Sequence, residues 1–478
     1  MKRALIFLFG GAAYHFFSYF CTIIIYARAK DSLPFGRSTT KNSIVKMNIS
    51  ELYNIFKEHP VVTTDSRDCP EGSIFFALKG ASFNGNAFAA KALEQGCSYA
   101  VIDEKEFLVE GDDRYILTDN CLKTFQQLAN QHRRALGTKI IGITGTNGKT
   151  TTKELTATVL AEKYNVLYTQ GNFNNDIGVP KTLLRLTADH EIAVVEMGAS
   201  HPGDIKTLVD IVEPDYAIIT NVGKAHIKGF GSFEGVIRTK GELYDFMRAH
   251  GGKVFIDADN EHLAGIAHGL DLVKYGTGND ADLCACGRET SCSPFLNFEW
   301  RHGEGEWHDV KTHLIGGYNI SNMLAAACIG LYFGVSQEQI GHALSNYIPS
   351  NNRSELEITE HNKLIIDAYN ANPTSMDAAL RNFNSMEMSP KMVIIGDMGE
   401  LGDISAEEHQ RIVDYLATTN IKEVWLVGEE FGKTDCPFRK FHDVEEVRSE
   451  IVARRPEGFC ILIKGSNSTK LYKLPEVL

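Results

Sequence analysis

The sequence has little of what marks the fibrous and disordered classes of protein. It contains no internal repeat and no low-complexity tract. With 43% hydrophobic and 23% charged residues, it is neither a disordered chain, a collagen nor a coiled-coil rod. Positive charge is also scarce, because 48 Lys and Arg residues stand against 61 Asp and Glu residues. Nucleic-acid binders depend on clustered Lys and Arg, so this balance argues against that class without excluding a nucleotide pocket.

Cysteine is thinly spread, with ten residues in a chain of 478. A disulfide framework is usually dense and belongs to a small secreted domain, so this cysteine usage fits a reducing cytoplasm. Cys284, Cys286 and Cys292 do cluster, but no second pair follows at zinc-finger spacing. The favoured interpretation is reduced thiols on a strand and its loop.

The N-terminal segment differs from the rest of the chain. Ala4–Tyr26 contains no Asp, Glu, Lys or Arg and is about long enough to cross a bilayer as a helix. Either residues 1–46 are a membrane anchor on a cytoplasmic enzyme, or Met47 is the true start of the protein. The second alternative is favoured because no later motif needs a membrane, and the choice stays open.

The remaining sequence is typical of an α/β protein with mainly parallel sheets. At about 150 residues per domain the length predicts about three domains. The sequence pattern places them at residues 47–137, 138–348 and 349–478. Short runs of Val, Ile and Leu alternate with helical patterns, as strands covered on both faces require. The predicted strands include Lys139–Thr144, Ile192–Glu196, Tyr216–Asn221, Lys253–Asp257, Leu364–Asp367, Met392–Gly396, Glu423–Val427 and Cys460–Lys464.

A glycine-rich segment follows the first strand of the middle domain and precedes a helical pattern at Thr151–Tyr164. Glycines let backbone N–H groups point at phosphate oxygens, and the helix adds its positive N-terminal end. A lysine can reach the β- and γ-phosphates and a threonine hydroxyl can ligate Mg²⁺. Ile143 occupies the place of the first glycine in the strict phosphate-loop pattern. The predicted ATP-binding residues here are Gly145, Thr146, Asn147, Gly148, Lys149, Thr150 and Thr151.

Further motifs follow this loop along the chain: Asn172–Pro180, Glu196–Ala199 and Asn221–His226. Together with the loop they resemble the ATP-dependent Mur ligase family, and the resemblance extends from about Met47 to the C-terminus. It implies a small N-terminal α/β domain that binds a UDP-sugar, a central domain with a phosphate loop, and a Rossmann-like C-terminal domain. It also implies a monomer.

Two motifs narrow this resemblance. Asp367–Ser375 and Gly396–Gly402 resemble the branch of the family that joins D-alanyl-D-alanine to UDP-N-acetylmuramoyl-tripeptide in peptidoglycan synthesis. The implied reaction converts a carboxylate to an acyl phosphate with ATP, and an amine then attacks. Such a transfer needs alignment and neutralised charge, so the site should combine the phosphate loop, Mg²⁺ ligands and cations.

Several residues are candidates for metal binding. Glu196 ends an apolar strand, which is where open α/β sheets place ligands, so it is a candidate Mg²⁺ ligand beside Thr150. The resemblance makes His226 a ligand of a second Mg²⁺ and Lys240 a carbamylated lysine whose new carboxylate binds metal. Carbamylation needs a neutral amine, hence a lowered pKa at Lys240. Lys149, His226 and Lys240 are the expected catalytic residues.

The resemblance also assigns the remaining nucleotide contacts. Asn319 and Asn322 suit the adenine edge because an amide both donates and accepts, although Asn322 could instead be a helix cap. Arg353 is expected near the phosphates and Asp367 near the ribose or γ-phosphate. The family usually has His where this chain has Tyr318, so the contact at that position is not carried over.

The two organic substrates have their own candidate residues. Ser66, Arg67, Asn174 and Asn175 would bind the UDP-sugar peptide. Tyr369, Asn370 and Asn372 would face the nucleotide and the incoming dipeptide. The sequence does not indicate whether the third residue of the tripeptide is diaminopimelate or lysine. The departures from the family pattern at Asn84–Asn86 and Asn467 leave those contacts unassigned.

Other functions compete with this interpretation. A folylpolyglutamate synthase would share the phosphate loop but would not explain the first domain or the segment Gly396–Gly402. A transport or regulatory ATPase would hydrolyse ATP without a second substrate, and a non-catalytic scaffold would tolerate loss of Glu196. The ligase interpretation requires that Lys149, Glu196 and His226 line one cleft.

Overall fold

The computed structural model describes residues 47–278, 282–349 and 354–478. The N-terminal apolar segment, the choice between Met1 and Met47 and the predicted phosphate contact Arg353 all lie outside these ranges. Among the helices of the described residues, none has both the length and the apolar character needed to span a membrane.

Within the described residues, the N-terminal region builds a parallel sheet of four short strands in the order β1-β2-β3-β4. Its first helix begins immediately after Asn48, whose side chain accepts from the Glu51 backbone while Glu51 reciprocates, a capping box. The strands are β1 Val62–Thr63, β2 Ile74–Phe76, β3 Tyr99–Ile102 and β4 Tyr115–Leu117, and the helices are Ile49–Glu58, Ala89–Glu94 and Cys121–Leu136.

The central sheet has the strand order β13-β12-β11-β10-β9-β8-β5-β7-β6 in the described residues. Strands β5 to β11 pair with one another in parallel, whereas β12 and β13 extend the sheet beyond β11 with antiparallel pairing. The bounds are β5 Lys139–Thr144, β6 Val166–Tyr168, β7 Ile192–Glu196, β8 Tyr216–Ile219, β9 Lys253–Asp257, β10 Asp271–Gly276, β11 Leu283–Cys292, β12 Phe295–His302 and β13 His308–Ile315.

Helices cover both faces of this sheet, which is why its parallel strands are nearly all apolar. The helix that follows the phosphate loop packs against the apolar helix Ile320–Tyr332 on one face. The helices are Lys149–Ala161, Gly178–Leu183, Asp204–Val212, Ile227–Phe230, Phe233–His250, Glu261–Ile266, Ile320–Tyr332 and Gln337–Asn346.

The C-terminal sheet has the order β14-β15-β19-β16-β17-β18 and is parallel except for β14 at its edge. Its strands are β14 Glu355–Ile358, β15 Lys363–Asp367, β16 Lys391–Gly396, β17 Glu423–Val427, β18 Arg439–Phe441 and β19 Cys460–Lys464. Its helices are Pro373–Ser385, Ser405–Ala417, Glu429–Gly432 and Val444–Ala453.

The central sheet packs against both of the others, and Ile315 of β13 belongs to the apolar core of the C-terminal sheet. One apolar core runs from the N-terminal sheet through the helix Cys121–Leu136 to one face of the central sheet. In that helix Arg133 donates to the backbone oxygens of Val212 and Glu213, at 2.9 and 2.6 Å. Met47–Leu478 therefore form one compact unit, and the domain boundaries near residues 137 and 348 stay predictions.

The α/β class and the mainly parallel sheets are confirmed. The eight predicted strands all form, and five of them have the predicted bounds. Cys284, Cys286 and Cys292 lie on one strand, β11, as free thiols.

Candidate active site

The phosphate loop lies between β5 and the helix Lys149–Ala161. Gly145 has φ +145°, and a Cβ added there would lie 2.0 Å from the Thr220 hydroxyl, so no side chain fits. Gly148 has φ +77° and caps the helix, which begins at Lys149, two residues before the predicted start. The loop's backbone therefore requires glycine at both positions.

The loop after β8 holds this backbone in place. The backbone N–H of Asn147 donates to the Asn221 side chain at 3.0 Å. The carbonyl of Asn147 accepts from the Thr220 hydroxyl at 2.6 Å and from the Asn221 amide at 3.0 Å. These contacts fix the turn from outside, so its shape depends on a fixed neighbouring loop as well as on its glycines.

The two polar side chains that end the loop have different partners. The ammonium of Lys149 donates to the backbone oxygens of Gly145 and Thr146 at 2.8 and 3.0 Å. The Thr150 hydroxyl is buried and donates to a carboxylate oxygen of Glu196 at 2.9 Å. The lysine thus lies over the loop, and the threonine faces the end of β7.

Glu196 is the centre of a buried group of oxygen donors. Its side chain is 1% exposed and also accepts from the Asn174 amide at 2.8 Å. The strand end places the carboxylate beside the Thr150 hydroxyl, and hard oxygen donors of this kind are what Mg²⁺ takes in proteins. The donor set therefore fits a Mg²⁺ ion next to a bound phosphate.

His226 lies on the other side of the loop, in the segment after β8. Its backbone is left-handed, with φ +52°, and its ring contacts the ring of Phe230. The Nδ1 atom is hydrogen-bonded to the Glu400 carboxylate of the C-terminal region. Burial lowers the pKa of His226, and the charges of Lys149 and Lys240 act in the same direction against Glu400. A neutral imidazole, the form that binds metal, is thereby favoured.

Lys240 is a buried lysine on the helix Phe233–His250. Its side chain is 2% exposed, and its ammonium lies 3.5 Å from the backbone oxygen of Ala199 and 5.4 Å from the centre of the Phe230 ring. Burial holds the pKa of Lys240 well below its ordinary value, and the charge of Lys149 lowers it further. The neutral amine that carbamylation requires is favoured here.

The predicted adenine contacts lie at the start of the helix Ile320–Tyr332. The Asn322 amide donates to the Asn319 side chain at 2.8 Å, and its oxygen accepts from Thr152 at 3.0 Å. Asn322 lies inside the helix, so it is not a helix cap. Tyr318 also lines the cleft, and its hydroxyl lies 3.0 Å from the Ser354 hydroxyl.

The C-terminal region supplies the opposite wall. Asp367, at the end of β15, forms an ion pair with the buried Lys464 at 2.6 Å. Tyr369 and Asn370 line the same cleft. Asn372 caps the helix Pro373–Ser385, and its amide donates to the Asn147 side chain at 2.8 Å. This hydrogen bond joins the C-terminal region directly to the phosphate loop.

The candidate sugar-side residues are less closely assembled. The guanidinium of Arg67 is exposed and forms a two-point ion pair with Asp65, two residues away, at 2.7 and 2.8 Å. Ser66 is half-buried beside it. Neither lines the main cleft, whereas Asn174 and Asn175 do.

The variant segment Asn84–Asn86 keeps a defined loop. Asn86 is buried and bonds to Asp103 through both its amide and its oxygen, at 2.9 Å each. A Cβ at Gly85 would lie 2.3 Å from the Leu78 backbone oxygen. The Asn-Gly-Asn sequence therefore builds this turn with its own hydrogen bonds.

One cleft of about 890 Å³ unites most of these groups. Lys149, Glu196 and His226 all line it, as the ligase interpretation requires, and Asp367 faces them from the C-terminal side. The predicted residues that line it are Thr146, Asn147, Gly148, Lys149, Thr150, Thr151, Asn174, Asn175, Glu196, His226, Asn319, Asn322, Asp367, Tyr369 and Asn370.

Sequence reasoning assigned no role to Asp257, Ser321 or Glu400, which the structure brings to this site. Asp257 ends β9 in the cleft wall and accepts from Ser321 at 2.5 Å. Glu400 reaches His226 from 174 residues away. For Glu400 a signal existed, since it lies within Gly396–Gly402, but nothing in the sequence pairs it with His226.

The fold and the cleft define a class of protein: a three-sheet α/β protein with a phosphate loop, whose cleft is lined by both the central and the C-terminal regions. Models of known protein families match three segments of the chain. The Mur ligase family catalytic domain matches residues 60–133, the Mur ligase middle domain residues 143–330, and the Mur ligase glutamate ligase domain residues 352–467.

Individual relatives agree with these matches. The UDP-N-acetylmuramoyl-tripeptide–D-alanyl-D-alanine ligase of Bacillus subtilis (strain 168) is 36% identical over 400 residues, which cover 82% of this chain and 86% of the relative. A crystal structure of MurF from Acinetobacter baumannii superposes with a TM-score of 0.79 at 30% identity and covers 87% of this chain and 92% of that one. MurF from Thermotoga maritima in complex with ADP gives a TM-score of 0.78 at 25% identity, with 87% and 96% covered.

The chain belongs to the Mur ligase family. The family consists of ATP-dependent ligases that use Mg²⁺ and form peptide bonds, and the chain is an enzyme of this class. The family resemblance and the three-domain architecture predicted from the sequence are thereby confirmed.

Proposed function

We propose that the chain joins D-alanyl-D-alanine to UDP-N-acetylmuramoyl-tripeptide and converts ATP to ADP and phosphate in the same reaction, as a step of peptidoglycan precursor synthesis. The observation that carries the proposal is the single cleft in which Lys149, Glu196 and His226 face Asp367 and Tyr369. The names of the similar ligases and the motif Gly396–Gly402 support the choice of substrates.

The reaction has two steps. A carboxylate oxygen of the tripeptide attacks the γ-phosphorus of ATP, the bond to the β-phosphate breaks, and an acyl phosphate and ADP form. The dipeptide amine then attacks the acyl carbon and loses a proton, and the carbon–oxygen bond to phosphate breaks. Lys149 and the loop N–H groups hold the β- and γ-phosphates during transfer. The C-terminal wall, bonded to the loop through Asn372 and Asn147, excludes water that would hydrolyse the acyl phosphate.

We assign the metal positions from the donor sets. Thr150 and Glu196 would hold one Mg²⁺, and His226 with a carbamate on Lys240 would hold a second. When bound, Mg²⁺ neutralises the phosphate charge that otherwise opposes attack by a carboxylate. The protein contributes the buried oxygen donors and the neutral nitrogen donors that this needs.

The buried amine of Lys240, whose lowered pKa favours the neutral form, supports carbamylation. Protein exchanged into ¹³C-bicarbonate should show one carbamate carbonyl signal in its ¹³C spectrum. The Lys240→Ala variant should lack that signal and lose most activity. Lys206→Ala, which removes an exposed lysine paired with Asp210, is the control and should keep both. A variant at Lys240 that is as active as the parent protein would end this assignment.

The remaining roles are those that the family resemblance implies. Asn319 and Asn322 would contact adenine, with Arg353 and Asp367 near the phosphates and ribose. Tyr369, Asn370 and Asn372 would face the dipeptide, and Ser66, Arg67, Asn174 and Asn175 the UDP-sugar peptide. The domains would be residues 47–137, 138–348 and 349–478, in a monomeric cytoplasmic enzyme.

ADP release tests the proposal directly. It should require ATP, Mg²⁺, the UDP-tripeptide and the dipeptide together, and running the assay with both the diaminopimelate and the lysine tripeptide identifies the third residue. ADP release that is independent of both organic substrates would indicate a transport or regulatory ATPase. Release driven by a folate and glutamate would favour a folylpolyglutamate synthase.

A further inference from the structure

Glu400 makes a contact that neither step of the proposed reaction uses. It lies in the loop that follows β16 and has a left-handed backbone, with φ +61°. Its carboxylate is hydrogen-bonded to Nδ1 of His226, across the boundary between the C-terminal and central sheets. Its backbone oxygen also accepts from the N–H of Lys228 at 3.1 Å. One residue of the C-terminal region therefore holds the His226 loop at two points.

The direction of the side-chain bond has a chemical consequence. A carboxylate accepts hydrogen bonds, so the proton of this pair belongs on Nδ1 of the imidazole. The other ring nitrogen, Nε2, is then left with its lone pair. Carboxylates that bond the far nitrogen of a histidine commonly fix the tautomer and ring orientation of a metal-ligating imidazole.

The contacts around His226 show that its bond to Glu400 depends on the packing of the C-terminal region against the central region. Lys224, two residues before His226, donates to Glu408 at 2.7 Å, and its backbone N–H donates to Thr374 at 3.2 Å. A Cβ at Gly402 would lie 3.4 Å from the Lys228 Cβ, so the C-terminal loop lies directly on this segment. Glu400 can therefore reach His226 only when the C-terminal region is packed on the central one.

We propose that Glu400 is a positioning residue that makes the metal-binding form of His226 depend on closure of the C-terminal domain. The inference rests on the proposed function, because it takes His226 as a Mg²⁺ ligand. It gives a role to Gly396–Gly402: the loop places one carboxylate so that His226 presents Nε2 to the metal when the cleft is closed. An open enzyme would then hold this ligand less firmly.

The test compares Glu400→Gln with the parent protein. Glutamine keeps the size of the side chain but lacks the charge that holds the proton on Nδ1, and the backbone bond to Lys228 remains. Glu400→Gly is a second variant, since glycine suits a positive φ and removes the side chain entirely. Glu407→Gln, an exposed glutamate seven residues away, is the control.

The first readout needs neither metal nor substrate. In protein labelled with ¹⁵N-histidine, the His226 signals, assigned by their loss in His226→Gln, should show protonated Nδ1 and unprotonated Nε2 in the parent and in Glu407→Gln. In both Glu400 variants this pattern should change to the other tautomer or to a mixture. An unchanged tautomer in both variants would overturn the inference.

The second readout is the Mg²⁺ dependence of ADP release. Loss of an outer partner of a metal ligand costs about ten- to a hundred-fold in metal affinity, so the half-saturating Mg²⁺ concentration of Glu400→Gln should rise by about tenfold or more. Saturating Mg²⁺ should restore most of kcat, and KM for ATP should stay near the parent value. A fall in kcat that Mg²⁺ does not restore, with unchanged half-saturation, would show a merely structural role and overturn the inference.

The two readouts separate this inference from the proposed function. If the parent protein releases no ADP with its two substrates, the proposed function fails. The tautomer measurement then still decides whether Glu400 sets the state of His226.

Discussion

The phosphate loop and the loop Thr64–Arg67 both carry family motifs, yet they are built differently. The phosphate loop is fixed by two glycines with positive φ and by hydrogen bonds from Thr220 and Asn221. In the other loop, Arg67 is 84% exposed on its side chain, and its ion-pair partner among the described residues is Asp65, its near neighbour. The backbone of the phosphate loop is therefore fixed without a substrate. The loop Thr64–Arg67 instead presents an exposed guanidinium that a bound substrate would have to engage.

The largest effect is expected when the positive charge of the phosphate loop is removed. Lys149→Ala removes the cation expected at the β- and γ-phosphates, and kcat for ADP release should fall by about 10³-fold because nothing else in the loop carries that charge. Lys206→Ala, the control lysine on the helix Asp204–Val212, should retain parent activity. A loss of less than about tenfold at Lys149 would contradict the assigned role.

The backbone of the loop gives the next largest effect. In Gly148→Ala a Cβ at φ +77° would lie 2.5 Å from the Asn322 side chain. The left-handed backbone alone costs about 1–2 kcal/mol of folding stability, and displacing Asn322 should cost about 10²-fold in kcat/KM for ATP.

Gly171→Ala is the matched control for this change. Gly171 has φ +54°, but a Cβ there meets no atom within 4 Å. It should lose a similar amount of stability, measured by denaturant unfolding, and keep its kcat/KM. Equal kinetic effects at both glycines would mean that the contact with Asn322 is unimportant.

The smallest effect is expected at the exposed loop. Arg67→Ala should raise KM for the UDP-tripeptide by about tenfold, through loss of a charged hydrogen bond, and leave kcat and the thermal midpoint near the parent values. Arg114→Ala is closely matched, because Arg114 forms the same two-point pair with Asp112, two residues before it. If both variants behave alike, Arg67 has no special part in binding.

The same contrast explains which parts of the fold could be predicted from the sequence. Strands such as β5 and β7 are apolar runs buried on both faces, so their bounds follow from composition alone. The hairpin strand β12 was not predicted, because its burial alternates along the strand and its neighbours are antiparallel. A local pattern of that kind does not reveal the partner strand.

Only part of the candidate site could be predicted from the sequence. The loop Gly145–Thr150 and the strand-end Glu196 could be predicted because a local sequence determines their geometry. The contact between Glu400 and His226 could not, since it joins segments that lie 174 residues apart in the chain. The family motifs pointed to these positions without giving the physical reason for them.

The central claim is that the cleft places the γ-phosphate of ATP against the carboxylate of the peptide substrate. It is tested most directly by synthesising the UDP-tripeptide with ¹⁸O in that carboxylate and analysing the phosphate released by mass spectrometry. Transfer through an acyl phosphate predicts that one ¹⁸O atom leaves the peptide and appears in the phosphate. Phosphate that contains oxygen only from ATP and water, while the peptide bond forms, would contradict the account.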